Sequence, residues 1–229
     1  MEKRFEHWSL THIGIVAGTF ALTALLVIVA RRHEGRRFTF IIGNAIGAIL
    51  LINYAAYVFY RVQSGYWQIR YDLPMELCNW AALATMFAFF TRNRTLAEIA
   101  YFWVMAGSIN GVISPDLQVS FPHPYFFIFF IAHSGLVLGS LYLVFGLKFY
   151  PRPGAIRRVF IVSQVYLATA FVINYVLGGN YGYTMAKPGS ASLFDYLGPW
   201  PWYLLSLEAM AVVLYTLLYV PFYFKNRVK

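Results

Sequence analysis

The feature of this sequence that most limits its fold is a series of seven long apolar runs. A helix needs about 20 apolar residues to cross the hydrocarbon core of a membrane. The runs lie at about 10–30, 38–60, 73–91, 95–113, 125–147, 159–177 and 199–224. Because 60% of the residues are hydrophobic and 12% are charged, an ordinary soluble domain is excluded. The sequence therefore predicts an all-α membrane protein, a compact bundle of seven transmembrane helices forming a single domain over residues 1–229.

The distribution of basic residues predicts the orientation of this bundle. Thirteen of the eighteen basic residues fall in alternate loops and the C-terminal tail, namely Arg31, Arg32, Arg36, Arg37, Arg92, Arg94, Lys148, Arg152, Arg157, Arg158, Lys225, Arg227 and Lys229. Loops rich in Lys and Arg stay in the cytoplasm. We therefore expect the N-terminus outside and the C-terminus in the cytoplasm. The net charge of +9 is explained by these loops and does not indicate a nucleic-acid partner.

Four spans contain glycines four residues apart, a spacing that lets helix backbones approach closely. The pairs start at Gly14, Gly43, Gly107 and Gly135. We expect them to pack helices of the same chain together.

The third run begins with the sequence Leu-Pro-Met-Glu-Leu-Cys-Asn-Trp, at 73–80, which contains the single cysteine of the chain. Asp72 and Pro74 suit the cap and first turn of a helix. A carboxylate or thiol inside a membrane is costly unless it has partners, so Glu76 and Cys78 mark a hypothetical functional site. A lone cysteine excludes an intrachain disulfide and a multi-cysteine metal cluster.

Most other polar residues of the spans fall in the same predicted layer, the outer halves of the helices. They are His12, Asn53, Glu76, Cys78, Asn79, Asn110, His133, Asn174 and Glu208. Their convergence predicts a cavity open to the outer leaflet. The inner halves contain little besides Glu98, which we expect Arg92 or Arg94 to neutralise.

Within this layer, Cys78 and His133 are the predicted catalytic pair. At ~1.5 Å per residue, they lie roughly 8 Å and 14 Å below the outer ends of their helices, so modest tilt brings them together. An adjacent imidazole can accept the thiol proton and so create the nucleophilic thiolate. The alternatives are a small packing residue for Cys78 and an interhelical hydrogen bond for His133.

The other polar residues are predicted to support this pair, with structural alternatives left open. Glu76 or Glu208 would orient the histidine, as the third member of a triad does, or would hydrogen-bond an asparagine. Asn110 and Asn174 would donate to an oxyanion or serve as structural amides. Lipid headgroups would contact the outer loop, or its aromatic residues would anchor it at the interface. Its candidate residues are Tyr181, Tyr183, Lys187, Asp195, Trp200 and Trp202.

Two motifs resemble a known family. The Leu-Pro-Met-Glu-Leu-Cys element is similar to the Leu-Pro-x-x-Leu-Cys element of the bacterial YwaF-like integral membrane proteins. The stretch from Asn180-Tyr181 through Ser192-Leu193-Phe194-Asp195 to Gly198-Pro199-Trp200-Pro201-Trp202-Tyr203 is also similar. These proteins look like relatives of the eukaryotic transmembrane protein 164, a phospholipid acyltransferase with a proposed Cys and His pair. The resemblance implies a multi-pass protein of the bacterial cytoplasmic membrane, with Cys78 as nucleophile and His133 as its partner. Glu76 departs from the histidine expected in many bacterial relatives.

The leading hypothesis is a membrane enzyme that transfers or hydrolyses the acyl chains of phospholipids or lysophospholipids through a thioester. This chemistry needs no metal and no soluble cofactor. One alternative is a metal-dependent lipid hydrolase with His12, His133, Glu76 and Glu208 as ligands. Another is a transporter or receptor-like protein that binds a small molecule without chemistry. The oligomeric state is left open.

Overall fold

A computed structural model of the chain describes residues 4–189 and 193–227, and the regular structure of these residues is entirely helical. Ser192 and Lys229, named above, lie outside the described residues. The α-helices are α1 (Leu10–Arg32), α2 (Arg37–Gln63), α3 (Leu77–Thr91), α4 (Arg94–Trp103), α5 (Asn110–Ile113), α6 (Pro124–Leu141), α7 (Ala155–Leu177) and α8 (Trp202–Arg227). A π-helical segment, Val104–Ser108, joins α4 to α5, and another, Tyr142–Gly146, continues α6.

Six of the helical stretches are long and apolar enough to cross a membrane. They are Leu10–Arg32, Arg37–Gln63, Arg94–Ile113, Pro124–Gly146, Ala155–Leu177 and Trp202–Lys225. The chain is therefore a multi-pass helical membrane protein. The remaining predicted span, α3, has 15 residues, which at ~1.5 Å per residue is shorter than the ~30 Å hydrocarbon core. The seventh crossing stays a prediction.

The predicted start of the third helix is wrong. Asp72 does not cap α3, and Pro74 does not lie in its first turn, because the helix begins at Leu77 with Glu76 as its N-cap. Asp72 is instead held by groups in the preceding loop and in α2. The late start places Cys78 in the first turn of α3, where the helix dipole favours a negative charge.

Glycines bring the central helices into close contact. A Cβ on Gly43 of α2 would lie 2.6 Å from the ring of Phe89, and one on Gly139 of α6 would lie 2.9 Å from Thr85. Phe89 and Thr85 both belong to α3, so side chains of α3 fill the space that the glycines of α2 and α6 leave. The expectation of intrachain packing is wrong for Gly14 and Gly18, because nothing lies within 4 Å of either Cβ position.

The buried carboxylate of Glu98 in α4 lies at the opposite end of the bundle from Cys78. Its neutralisation by Arg92 or Arg94 is a wrong prediction, since Arg152 and Arg158 each donate two hydrogen bonds or more to it. Arg152 lies in the loop before α7 and Arg158 in the first turn of α7, and both guanidinium groups reach Glu98 near the start of α4. Arg92 and Arg94 lie over phenylalanine rings instead.

Candidate functional site

Cys78 and His133 are neighbours in the structure, although they come from different helices. The thiol is on α3 and the imidazole is on α6, and the two side chains lie close enough to act on each other electrostatically. The hydroxyl of Ser108 also lies beside the sulfur. Cys78 is partly accessible rather than sealed in the core. The arrangement therefore places a proton acceptor next to the thiol of a half-buried cysteine.

The protonation pattern of His133 follows from its backbone contact. Its Nδ1 lies 2.9 Å from the carbonyl oxygen of Phe129. Because a carbonyl only accepts, Nδ1 carries the proton, and in the neutral ring Nε2 is left with a free lone pair. The ring also packs against the Phe129 ring, with 4.3 Å between centroids.

The backbone carbonyl of Phe129 is the group that orients the histidine. Of the two roles left open for Glu76 and Glu208, neither carboxylate orients the histidine through Nδ1, because the Phe129 carbonyl occupies that position. The carbonyl is one helical turn before His133 on the same helix, so it fixes the tautomer without a buried charge.

Gly111 leaves the room that the imidazole occupies. A Cβ at this position would lie 2.1 Å from Cδ2 and 2.7 Å from Nε2 of His133. Real Cβ atoms essentially never approach another heavy atom that closely. The observed position of the ring therefore requires glycine at position 111 of α5.

Ser108, which the sequence analysis did not single out, ends the π-helical segment between α4 and α5. The first turn of α3 packs on this segment, since a Cβ on Gly107 would lie 3.3 Å from Leu77. The Gly107–Gly111 spacing was the available signal that two elements approach closely here. It did not indicate which polar group the approach brings to the sulfur.

Glu76 connects the Cys78 segment to the loop that follows α7. Its Oε2 accepts a hydrogen bond from the backbone N–H of Gly182 at 3.1 Å. Tyr166 of α7 donates to the carbonyl of Met75 at 3.2 Å, and its ring packs against Trp80. The loop after α7 therefore forms one wall beside the thiol.

Asn79 has no side-chain hydrogen bond to Cys78 or His133 among the described residues.

Asn174 holds that loop in place. Its side chain donates to the Tyr181 carbonyl and the Thr184 hydroxyl and accepts from the Tyr181 N–H, at 2.7–2.8 Å. The Tyr181 hydroxyl in turn donates to Ile69 and accepts from Leu73. With both ends of its amide engaged, Asn174 serves as a structural amide, which is one of the two roles that the sequence left open for it.

Asp72 fixes the other loop, the one that leads into α3. The buried carboxylate accepts hydrogen bonds from Arg61 at 2.8 Å, from Tyr57 and from the Gln68 N–H. Burial alone would raise the pKa of Asp72, but these hydrogen bonds outweigh it and hold the pKa below its usual value. The carboxylate is therefore ionised and ties the loop to α2.

The remaining polar residues of the predicted layer do not reach the thiol. His12 accepts from Trp8 N–H and donates to the Val112 carbonyl, both at 2.9 Å. Asn53 donates to Ile128, Glu208 accepts from Gln164, and Asn110 is exposed. The layer thus separates into local interhelical bonds around one small cluster of Cys78, His133, Ser108 and Glu76.

This separation also removes the alternative metal site. The proposed ligands His12 and Glu208 are each bonded to other groups, and no set of three or more His, Cys, Asp or Glu side chains within 4–189 and 193–227 could hold a metal ion. The predicted four-ligand set is wrong.

The predicted headgroup-contacting residues surround the same loop. Tyr183 lies near the thiol and packs on Phe194, and Lys187 lies over the Tyr203 ring. Asp195, Trp200 and Trp202 are exposed, and Trp200 donates to the Thr184 carbonyl at 3.1 Å. Tyr181 differs from these residues because it is buried, and its role is to hold the loop together.

The fold and this cluster define a multi-pass helical membrane protein with a thiol–imidazole pair between two of its helices. The model of the TMEM164 family matches residues 5–219, nearly the whole chain, and the chain belongs to that family. This confirms the resemblance to transmembrane protein 164, while the YwaF-like branch stays a prediction. No curated protein and no solved structure matches the chain.

Proposed function

We propose that the protein is a membrane-embedded lipid acyltransferase or acyl-lipid hydrolase in which Cys78 is the nucleophile and His133 is the general base. The observation that carries the proposal is the proximity of the half-buried Cys78 to an imidazole whose Nε2 is left to accept the thiol proton. Membership of the TMEM164 family agrees with it.

The first half of the reaction would form a thioester. His133 Nε2 takes the thiol proton as Cys78 Sγ attacks the carbonyl carbon of a phospholipid ester. The tetrahedral intermediate collapses, its carbon–oxygen ester bond breaks, and the imidazolium returns the proton to the departing alkoxide. The products are a lysolipid and an acyl group on sulfur.

The second half would return the free thiol. A lysolipid hydroxyl or water attacks the thioester while Nε2 accepts the proton of the attacking group. The carbon–sulfur bond then breaks, and the imidazolium protonates the departing thiolate. Transfer and hydrolysis differ only in the identity of this acceptor, and neither half uses a metal or soluble cofactor.

The membrane context of the proposal follows from the sequence. The basic loops would face the cytoplasm, which puts the Cys78 end of the bundle near the outer leaflet of a bacterial cytoplasmic membrane. Phospholipids there would supply both acyl donor and acceptor, and the exposed Trp200 and Trp202 would lie at headgroup level.

The test is mass spectrometry of the intact protein after incubation with phospholipid that has labelled acyl chains. We expect the wild-type protein to gain one acyl group that hydroxylamine removes, as it removes thioesters. Cys78→Ser should show no hydroxylamine-sensitive adduct, and His133→Ala should form the adduct much more slowly.

Asn53→Ala is the matched control, because it removes one interhelical hydrogen bond in the same layer without reaching the thiol. Equal release of labelled fatty acid by the wild type, Cys78→Ser and His133→Ala would show that another group performs the chemistry.

A further inference from the structure

Ser108 stands apart from the other buried polar side chains of the bundle. It is 1% exposed, and its Oγ is the one buried side-chain nitrogen or oxygen among the described residues without a hydrogen-bond partner. Buried hydroxyls are normally satisfied, because an unpaired one loses its hydration without compensation. An unsatisfied buried donor at this place therefore needs a reason.

The neighbouring helices show what a merely structural hydroxyl does in this protein. Thr85 of α3 and Ser163 of α7 each donate to the carbonyl four residues earlier, and Ser140 of α6 donates to Val137. Ser108 does not follow them, because it ends a π-helical segment. There the Val104 carbonyl, four residues before Ser108, accepts from the Ile109 N–H at 2.8 Å.

The position of the unsatisfied hydroxyl coincides with the candidate site. Ser108 lies beside the Cys78 sulfur, on the side of α3 that packs against the π-helical segment. Single-turn π segments inside α-helices are frequent at functional sites. A neutral thiol is a weak acceptor, so the hydroxyl gains little from it in the resting state.

We propose that Ser108 is a third catalytic residue whose hydroxyl donates a hydrogen bond to the sulfur of Cys78 when the thiol is ionised. The donor keeps its own proton throughout, while the thiol proton moves to His133 Nε2. The proposal rests on the proposed function for its purpose, but it concerns the thiolate alone. A hydrogen bond to an ionised acceptor is about twice as strong as one between neutral groups.

The test uses the fact that Cys78 is the single cysteine. The rate of its alkylation by iodoacetamide is measured against pH in wild-type, Ser108→Ala and Ser140→Ala proteins in detergent micelles. The other titratable groups near the sulfur are His133 on α6, Glu76 before α3, Tyr166 on α7 and Tyr183 in the following loop. All four are unchanged in both variants.

In Ser108→Ala we expect the pH midpoint of alkylation to rise by about one unit, so that alkylation below the midpoint slows roughly tenfold. Ser140→Ala, which removes an equally buried but satisfied hydroxyl, should leave the midpoint unchanged. Ser108→Ala should also unfold at no lower temperature than the wild type, because it removes an unsatisfied group. A misfolded variant would be recognised by an unfolding temperature below that of the wild type.

An unchanged or lowered midpoint in a Ser108→Ala protein that unfolds normally overturns the proposal. So does a midpoint that rises equally in Ser140→Ala. If Ser108→Ala unfolds early, the same titration is made on Ser108→Thr, which keeps the hydroxyl and must keep the wild-type midpoint. Because alkylation needs no lipid, its outcome is independent of the acyl-adduct measurement. A missing acyl adduct with a shifted midpoint would reject the acyl-transfer function alone.

Discussion

Replacing Gly111 with alanine is expected to displace His133 and so disable the thiol, although the change adds a single methyl group. The new Cβ would lie 2.1 Å from Cδ2 and 2.5 Å from Cγ of the imidazole. Ordinary van der Waals contacts begin at 3.4 Å, so the ring must retreat by the difference of 1.3 Å. The hydrogen bond from Nδ1 to Phe129 and the packing of the two rings both oppose that movement.

The magnitude follows from the size of this displacement. Misplacing a catalytic group by about 1 Å can lower a rate about 100-fold, so we expect at least a comparable loss in acyl-adduct formation. Overpacking a filled site costs about 1–3 kcal/mol of folding free energy. Alanine is also the better helix former by roughly 0.5–1 kcal/mol. The net loss of stability should therefore be small, and the fold should survive.

The assay is the rate of acyl-adduct formation followed by mass spectrometry, with thermal unfolding measured on the same samples. Gly14→Ala is the matched control, because Gly14 is also a helical glycine of a Gly-x-x-x-Gly pair and has nothing within 4 Å of its Cβ position. It should keep the wild-type rate and stability. Full activity in Gly111→Ala would refute the argument that the observed position of the imidazole matters.

Three further predictions concern the frame around the site. Asp72→Asn should cost about 3 kcal/mol by removing one partner of a largely buried ion pair. Because the pKa of Asp72 is lowered in the folded protein, its contribution is complete above the unfolded value of about 3.9 and is lost as the pH falls through the lower folded value. The variant should lack this acid-dependent loss in thermal unfolding curves. Glu98→Gln should cost about 2–3 kcal/mol, less than a fully buried pair because its arginine partners keep some water, and should leave the alkylation midpoint of Cys78 unchanged. Asn174→Ala should loosen the loop after α7 and lose about 2 kcal/mol, visible as faster proteolysis near Tyr183, and unchanged proteolysis there would contradict its role.

Much of the fold could be predicted because a membrane restricts the choice. Apolar runs of about 20 residues have to form helices, since no water is available to satisfy a bare backbone. The structure confirms six such helices. It corrects the start of α3, because Asp72 is drawn into the loop by Arg61 and Tyr57 rather than left to cap the helix.

The candidate site was only partly predictable, for a physical reason. Depth along a helix can be counted from the sequence, and it suggested that Cys78 and His133 occupy one layer. The same count placed His12, Asn53, Asn174 and Glu208 in that layer, although each faces a different neighbour in the structure. Depth does not determine the direction in which a side chain points.

By itself the sequence determined that this chain is a helical membrane protein with one thiol placed among apolar segments, because composition and run length decide those properties locally. The tertiary structure alone decided which groups surround that thiol. The π-helical segment turns Ser108 toward the sulfur, Gly111 makes room for the imidazole, and the Phe129 carbonyl selects its tautomer. Each of these depends on the rotation and spacing of helices far apart in the chain, which no local pattern of residues specifies.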